Sequence, residues 1–265
     1  MRVLQKKLWA KATLRHVAIE LCRTVLRAWS QPYQLGEAST VVIAPHQDDE
    51  TLACGGLIAR KRSEGLPVHV IFITDGSASH LGHAQLTPAA IAALRRNEAM
   101  QAMACLGVER STVHFLDEPD GTLKGIAADR REFLVERLGA LLGSIAPGEI
   151  FLPCNPDGSS EHDAAFEFVL AAVARAGVRP VTWQYPVWAW WNPLLLLRTW
   201  RTHRDCRRLP LEDYWQAKQQ AVRCYRSQII PLPPSPTPAL PPDLVDIFLS
   251  DTEFFFRYDP PAKSS

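Results

Sequence analysis

At 265 residues, with 47% hydrophobic and 22% charged side chains, the chain can bury a sizeable core and lacks the composition of a disordered protein. A formal charge of +1 provides no global field for nucleic acid, so no nucleic-acid partner is expected. The six cysteines, at 22, 54, 105, 154, 206 and 224, include no CxxC pair, which suits a reducing compartment better than a disulfide framework or a thiolate zinc site.

In chain order, residues 14–29 read first as an amphipathic helix. Leu14, Val17, Ala18, Leu21, Val25 and Ala28 recur at helical spacing, with Arg15, Glu20, Arg23 and Arg27 on the other side. Lys11, Arg15, Glu20 and Arg23 interrupt the apolar stretches, so a signal-peptide core is not expected. Nowhere do apolar residues run uninterrupted for the roughly eighteen positions that a membrane span needs. The expected location is cytoplasmic.

A βα alternation follows. Val41 to Ala44 is a short buried strand, and the helix over 51–64 is ended by Gly65 and Pro67. Val68 to Thr74 is a second strand, and 75–87, without periodicity, is a loop. Pro88 opens a helix that runs to Leu106 and stops at Gly107. Val113 to Leu116 is a third strand, with a turn at Pro119-Asp120-Gly121. A helix over 127–143, a strand at Ile150 to Leu152, a helix from near His162 to Gly177 and a strand from Val181 to Val187 continue the pattern.

This alternation predicts a Rossmann-like α/β fold, a mainly parallel sheet with helices on both faces. Residues 231–242 contain seven prolines and must be extended, as a polyproline strap over the surface. Phe248 to Tyr258 offers one more strand. The expected organisation is an N-terminal amphipathic helix over 1–36, a main domain over 37–230, and a Pro-rich strap with a C-terminal strand over 231–265 packed on that domain.

The densest chemistry lies in Pro45-His46-Gln47-Asp48-Asp49-Glu50, after the first strand of the alternation and opening its first helix. Open α/β sheets bind ligands at such junctions. His46 and Asp49 can converge from a tight turn, and imidazole plus carboxylate is half of a catalytic zinc site, which needs a third protein ligand and an open position. Acids at a helix N-terminus also complement the helix dipole, which explains Asp48, Asp49 and Glu50 but not His46. On this segment alone both readings stay open. Pro153 to Ala164 repeats the logic, with His162 among carboxylates where a strand meets a helix. Asp157 and Ser159 there read more simply as turn and capping residues.

Together these segments resemble the PIG-L/LmbE-like family of zinc-dependent N-deacetylases. Pro45 to Glu50 matches the Pro-His-x-Asp-Asp-Glu form of its first motif, and Asp157 to Ala164 aligns with its Asp-x-His-Pro-Asp-His-x-Ala. Ile73 to Gly76, Arg95 to Glu98, Cys105 to Val108 and Phe115 to Gly121 fall between them in the family's order. Lys218 and Tyr225 to Gln228 resemble its late helix.

The resemblance implies one Zn2+ per chain on His46, Asp49 and His162, with Asp48 as general base. The implied reaction removes an N-acetyl group from an N-acetylglucosamine-type amino sugar, conjugated or lipid-linked, with Arg95, Asp120 and Ser159 as substrate contacts. Two departures stand out. Ser159 stands where the family has a His that stabilises the tetrahedral intermediate or protonates the leaving amine, and Glu161 is one methylene longer than the family's Asp. His80 and His83 are candidates for the missing imidazole. The alternatives are a metal-dependent amidase acting on a non-sugar amide and a non-catalytic sugar binder. Asp48 argues against the binder, which needs no base.

Residues 187–200 set four tryptophans beside four leucines, followed by Arg201, Arg204, Arg207 and Arg208. They resemble an interfacial segment, the competing readings being core packing or a dimer patch. The stretch to residue 30 adds seven basic residues against the single acid Glu20. Peripheral contact with the anionic inner membrane face is therefore a second expectation, each nearby basic residue adding about 1 kcal/mol. The oligomeric state is left open.

Overall fold

Thr40 to Ala44 is wholly buried, as an apolar run must be when helices cover both faces of a parallel sheet. The computed structural model describes residues 2–202 and 205–260, with side chains from residue 13 onward except at 200. The chain runs α1 (Arg2–Trp29), β1 (Gln31–Pro32), β2 (Thr40–Ala44), α2 (Asp49–Ser63), β3 (Val68–Thr74), α3 (Pro88–Cys105), β4 (Val113–Glu118), α4 (Ala128–Ile145) and β5 (Glu149–Pro153). It continues through α5 (Ser160–Ala176), β6 (Val181–Tyr185), α6 (Pro193–Thr202), β7 (Cys206–Pro210), α7 (Trp215–Cys224), α8 (Arg226–Ile229), α9 (Pro242–Phe248) and β8 (Thr252–Tyr258).

The strands form one sheet in the order β1-β7-β8-β6-β5-β2-β3-β4. β2 pairs in parallel with β3 and β5, β3 with β4, β5 with β6, and β1 with β7, while β8 runs antiparallel between β6 and β7. This is the expected mainly parallel α/β sheet. Alternation along β2 sends Val42 and Ala44 into a core with Leu57, Phe72 and Met103, and Val41 and Ile43 into a second core with Leu138, Leu142 and Val169. From β2 the chain proceeds to β3 and β4 on one side, then returns to β5 and β6 on the other. The carboxyl ends of β2 and β5 therefore flank a topological switch point.

The helix starts differ slightly from expectation: α2 begins at Asp49 and α5 at Ser160. β7 was not legible in the sequence, because its CRRLP run lacks strand-like alternation. Pairing with β8 makes it a strand, and its charges are absorbed locally: Arg207 pairs with Asp205 at 2.6 Å and Arg208 donates to the Ser30 carbonyl. β8 is the strand expected in the tail. Its Glu253 accepts the amides of Gly56 and Leu57 at 2.7 and 2.9 Å and the Lys218 ammonium at 2.8 Å, binding the tail to α2 and α7. Removing one member of such a buried pair costs about 3–5 kcal/mol.

The N-terminal helix packs on a different face from the one its spacing predicts. Ile19, Cys22 and Leu26 are buried, whereas Leu14, Val17 and Leu21 are 74%, 59% and 64% exposed. Two arginines explain the reversal, since Arg15 lies 3.9 Å over the Trp191 ring and Arg23 5.6 Å over that of Trp190. Cations read as solvent-facing are thus turned inward onto indoles. Trp190 and Leu196 are buried, so much of 187–200 packs into the core, although Leu194 remains 78% exposed. The side chains of Arg2, Lys6, Lys7, Lys11 and Trp200, and all of Arg204, lie outside the described residues. Among the described residues no helix is long and apolar enough to cross a membrane.

Candidate active site

The loop after β2 turns sharply because Asp48 takes φ 142°, a conformation that L residues rarely adopt. Buried groups hold it there. The Glu50 carboxylate accepts the Asp48 amide at 3.0 Å, and the Tyr225 and Thr51 hydroxyls donate to the other Glu50 oxygen. Arg95 donates to the Gln47 carbonyl and lies 3.4 Å from the Asp48 carboxylate. The Gln47 amide reaches the Thr74 carbonyl at 2.7 Å, and the Thr74 hydroxyl reaches the Pro45 carbonyl at 2.8 Å. Gly76, at φ 69°, completes the support, because a Cβ there would overlap Gln47 Oε1. The Thr-x-Gly motif after β3 therefore braces the loop after β2.

This turn brings His46 Nδ1 to 3.3 Å from Asp49 Oδ2, and α5 brings His162 Nε2 to 3.3 Å from the same oxygen. Each histidine rests its other ring nitrogen on a carboxylate. His46 Nε2 lies 3.2 Å from Asp120 Oδ1, and His162 Nδ1 lies 2.7 Å from Asp157 Oδ2. Asp157 is itself fixed by the amides of Val187, Trp188 and Ala189, each at 3.0 Å. Sequence reasoning took Asp157 for a turn residue. Its place five residues before His162 in the second motif was the available signal.

His46, Asp49 and His162 place one donor atom each within 4.8 Å of one another, and His162 Nε2 is buried without a hydrogen-bond partner. Two imidazoles and a carboxylate, with carboxylates behind the histidines, form a donor set suited to a catalytic zinc ion. The residues fit the metal. His46, Asp120 and Glu161 also cluster, but Asp120 is occupied by His46 and the Ala78 amide, and Glu161 by the amides of Gly121 and Leu123. The extra methylene of Glu161 thus serves the turn that carries Asp120.

Charge follows this geometry. Burial alone would lower His46, but Asp120 and Asp49 outweigh it and raise the imidazole to about 9. Against burial again, Asp49 and Asp157 raise His162 to about 10. Burial would raise Asp49, yet His162 and His46 hold it well below the usual carboxylate range. Burial pushes Asp48 up to about 7, with Arg95 opposing and Asp49 reinforcing.

A cavity of about 410 Å³ opens on this cluster. His46, Asp48, Asp49, Arg95, Asp120, Ser159 and Glu161 border its polar side, and Leu52, Val187, Trp188, Ala239 and Leu240 its apolar side. The proline-rich strap supplies the last two, docked by the Leu240 amide on the Gln228 carbonyl at 2.9 Å. Arg95, 2% exposed, is no solvated surface arginine. His80 and His83 border a neighbouring cleft of about 440 Å³ beneath the strap, and His83 lies 2.8 Å from the Pro233 carbonyl. Neither borders the cavity at Ser159.

Residues 41–173 match the PIG-L family, described as GlcNAc-PI de-N-acetylase. That match spans half of the sequence, and the chain belongs to the PIG-L family. It is 32% identical over 174 residues to a 1D-myo-inositol 2-acetamido-2-deoxy-alpha-D-glucopyranoside deacetylase of Rhodococcus jostii, covering 57% of each chain. The chain thus spans little more than half the length of that relative. Among solved structures it resembles an N,N'-diacetylchitobiose deacetylase from Pyrococcus horikoshii (TM-score 0.59, 21% identity, 90% of each chain). It also resembles a 4-carboxy-2-hydroxymuconate hydratase from Pseudomonas putida (TM-score 0.63, 17% identity, 86% of this chain and 98% of that one). These structural likenesses establish the fold. The reaction must be argued from side chains.

Proposed function

We propose that the chain is a metal-dependent N-deacetylase that releases acetate from an N-acetylglucosamine-type conjugate. His46, Asp49 and His162 would hold one zinc ion, and Asp48 would act as general base. The observation that carries this reading is the pair of carboxylate-backed histidines converging on Asp49 beside a second, unliganded carboxylate. A zinc ion bound there supplies a Lewis acid for the acetyl carbonyl and a water whose pKa falls to about 7.

The side chains divide the remaining work. Asp48, next to Asp49 and bordering the cavity, can accept a proton from attacking water and return it to the departing amine. Arg95 lies 3.4 Å from that carboxylate and borders the cavity, so its guanidinium can hold Asp48 in place and meet a substrate hydroxyl. The Ser159 hydroxyl can donate to the developing oxyanion but brings no positive charge. Asp120 orients His46 and borders the cavity, so a sugar contact would be its second task. Trp188 and Leu240 suit an apolar sugar face or aglycone. An amine-release screen over N-acetylated sugar conjugates and acylamino acids separates this reading from an amidase with a non-sugar substrate.

A specific surface supports a second element of the proposal. Leu14, Val17 and Leu21 on α1 and Leu194 on α6 are exposed on two elements that pack together, and α6 follows the turn that supplies Trp188 to the cavity. We propose that this face makes peripheral contact with an anionic lipid surface and that the substrate is lipid-linked.

A further inference from the structure

Cys105 ends α3 and Cys224 ends α7, and although 119 residues separate them their sulfurs lie 3.8 Å apart. They differ from the other four cysteines, all buried, in that Cys105 is exposed and Cys224 partly so. Their helices pack along one another. Just beyond Cys224, Glu98 of α3 accepts the amide and hydroxyl of Ser227, each at 2.7 Å, so the two segments already meet beside the thiols.

We infer that Cys105 and Cys224 form a redox-responsive thiol pair that closes to a disulfide in the presence of a small disulfide oxidant such as glutathione disulfide, stapling α3 to α7. Closure requires the sulfurs to approach from 3.8 Å to about 2.05 Å. Cys105, the exposed partner, reacts first. Its thiolate attacks one sulfur of the oxidant, forming a mixed disulfide and releasing one thiolate. Cys224 then gives its proton to solvent and attacks Cys105 Sγ, releasing the second. The protein loses two hydrogens, and the oxidant is reduced to two thiols. Burial and the neighbouring Cys105 raise the Cys224 thiol to about 11, which leaves exposed Cys105 as the thiol that meets the oxidant first.

The staple would lie beside the Glu98–Ser227 link and directly before Tyr225, whose hydroxyl holds Glu50 beneath the Asp48 turn. It therefore reinforces contacts already present. The inference does not rest on the proposed deacetylase activity.

The test treats reduced full-length protein with glutathione disulfide, followed by acid quenching, digestion without reductant and mass spectrometry. The expected result is a Cys105–Cys224 linked peptide, an intact mass lower by two hydrogens, and a raised melting temperature that dithiothreitol reverses, because the bond closes a long loop in the unfolded chain. Cys224→Ser should instead carry glutathione on Cys105 and show no rise. Glutathione adducts without the linked peptide in the unaltered protein, or a linked peptide with an unchanged or lower melting temperature, would overturn the inference.

Discussion

Asp157 accepts the Nδ1–H of His162 at 2.7 Å while its two oxygens also receive three backbone amides from residues 187–189. One carboxylate thus fixes the tautomer of a proposed metal ligand and the position of Trp188 on the cavity wall. Asp157→Asn keeps the shape but sets an NH2 group against amide donors. Metal affinity should fall about 10–100-fold, the usual cost of losing such support. Competition against a chromophoric chelator measures it, and unchanged affinity would reduce Asp157 to a turn residue.

Proton release should accompany metal binding. In the metal-free site His46 and His162 titrate at about 9 and about 10, above the ordinary histidine value of about 6.5, so both are cationic at pH 7. Their contribution to metal-free stability is full below about 6.5 and is lost as pH rises through 9 and 10. A metal must displace these protons, so affinity should climb with pH up to about 10, with about two protons released per ion at pH 7. Calorimetry in buffers of different ionisation enthalpy counts them; zero release would contradict the assignment of the two ligands.

Gly76→Ala should lower stability by about 1–3 kcal/mol, since the residue occupies the left-handed region and its Cβ would overlap Gln47 Oε1. The displaced Gln47 should also loosen the Asp48 turn. Denaturant melts and metal affinity of the same variant would report both effects, and a variant indistinguishable in both would show that the brace after β3 is dispensable.

The alternation from Val41 to Val187 was legible because buried parallel strands and their helices carry strong periodicity. The cluster of His46, Asp49 and His162 was legible because these residues sit at strand–helix junctions with their motif neighbours. The packing of α1 was not, because nothing in the local sequence shows that Arg15 and Arg23 will stack on Trp191 and Trp190, 176 and 167 residues away. β7 escaped notice because pairing with a strand some 46 residues later, rather than local propensity, makes it a strand. The roles of Asp157 and Glu161 likewise depend on contacts that only the fold creates.

Contact with an anionic lipid surface predicts co-sedimentation with phosphatidylserine-containing vesicles at low salt, falling as salt rises. The Leu14→Glu, Leu21→Glu double variant alters residues 74% and 64% exposed, so it should fold while losing most of the binding. Equal sedimentation of the double variant, or none by the unaltered protein, would refute a lipid-binding role for this face. A dimer that the variant dissolves, seen by light scattering, would reassign the face to a second copy of the chain.

The most direct measurement compares metal content and amine release from N-acetylglucosamine conjugates in the unaltered protein, Asp48→Asn and His162→Ala, before and after chelation and zinc readdition. The expected result is about one ion per chain in the unaltered protein, with activity lost on chelation and restored by zinc. Asp48→Asn should keep the ion and lose turnover by about 10²-fold or more, while His162→Ala should lose both. Full metal content in His162→Ala, or undiminished turnover in Asp48→Asn or in the chelated protein, would contradict a metal-dependent deacetylase built on these residues.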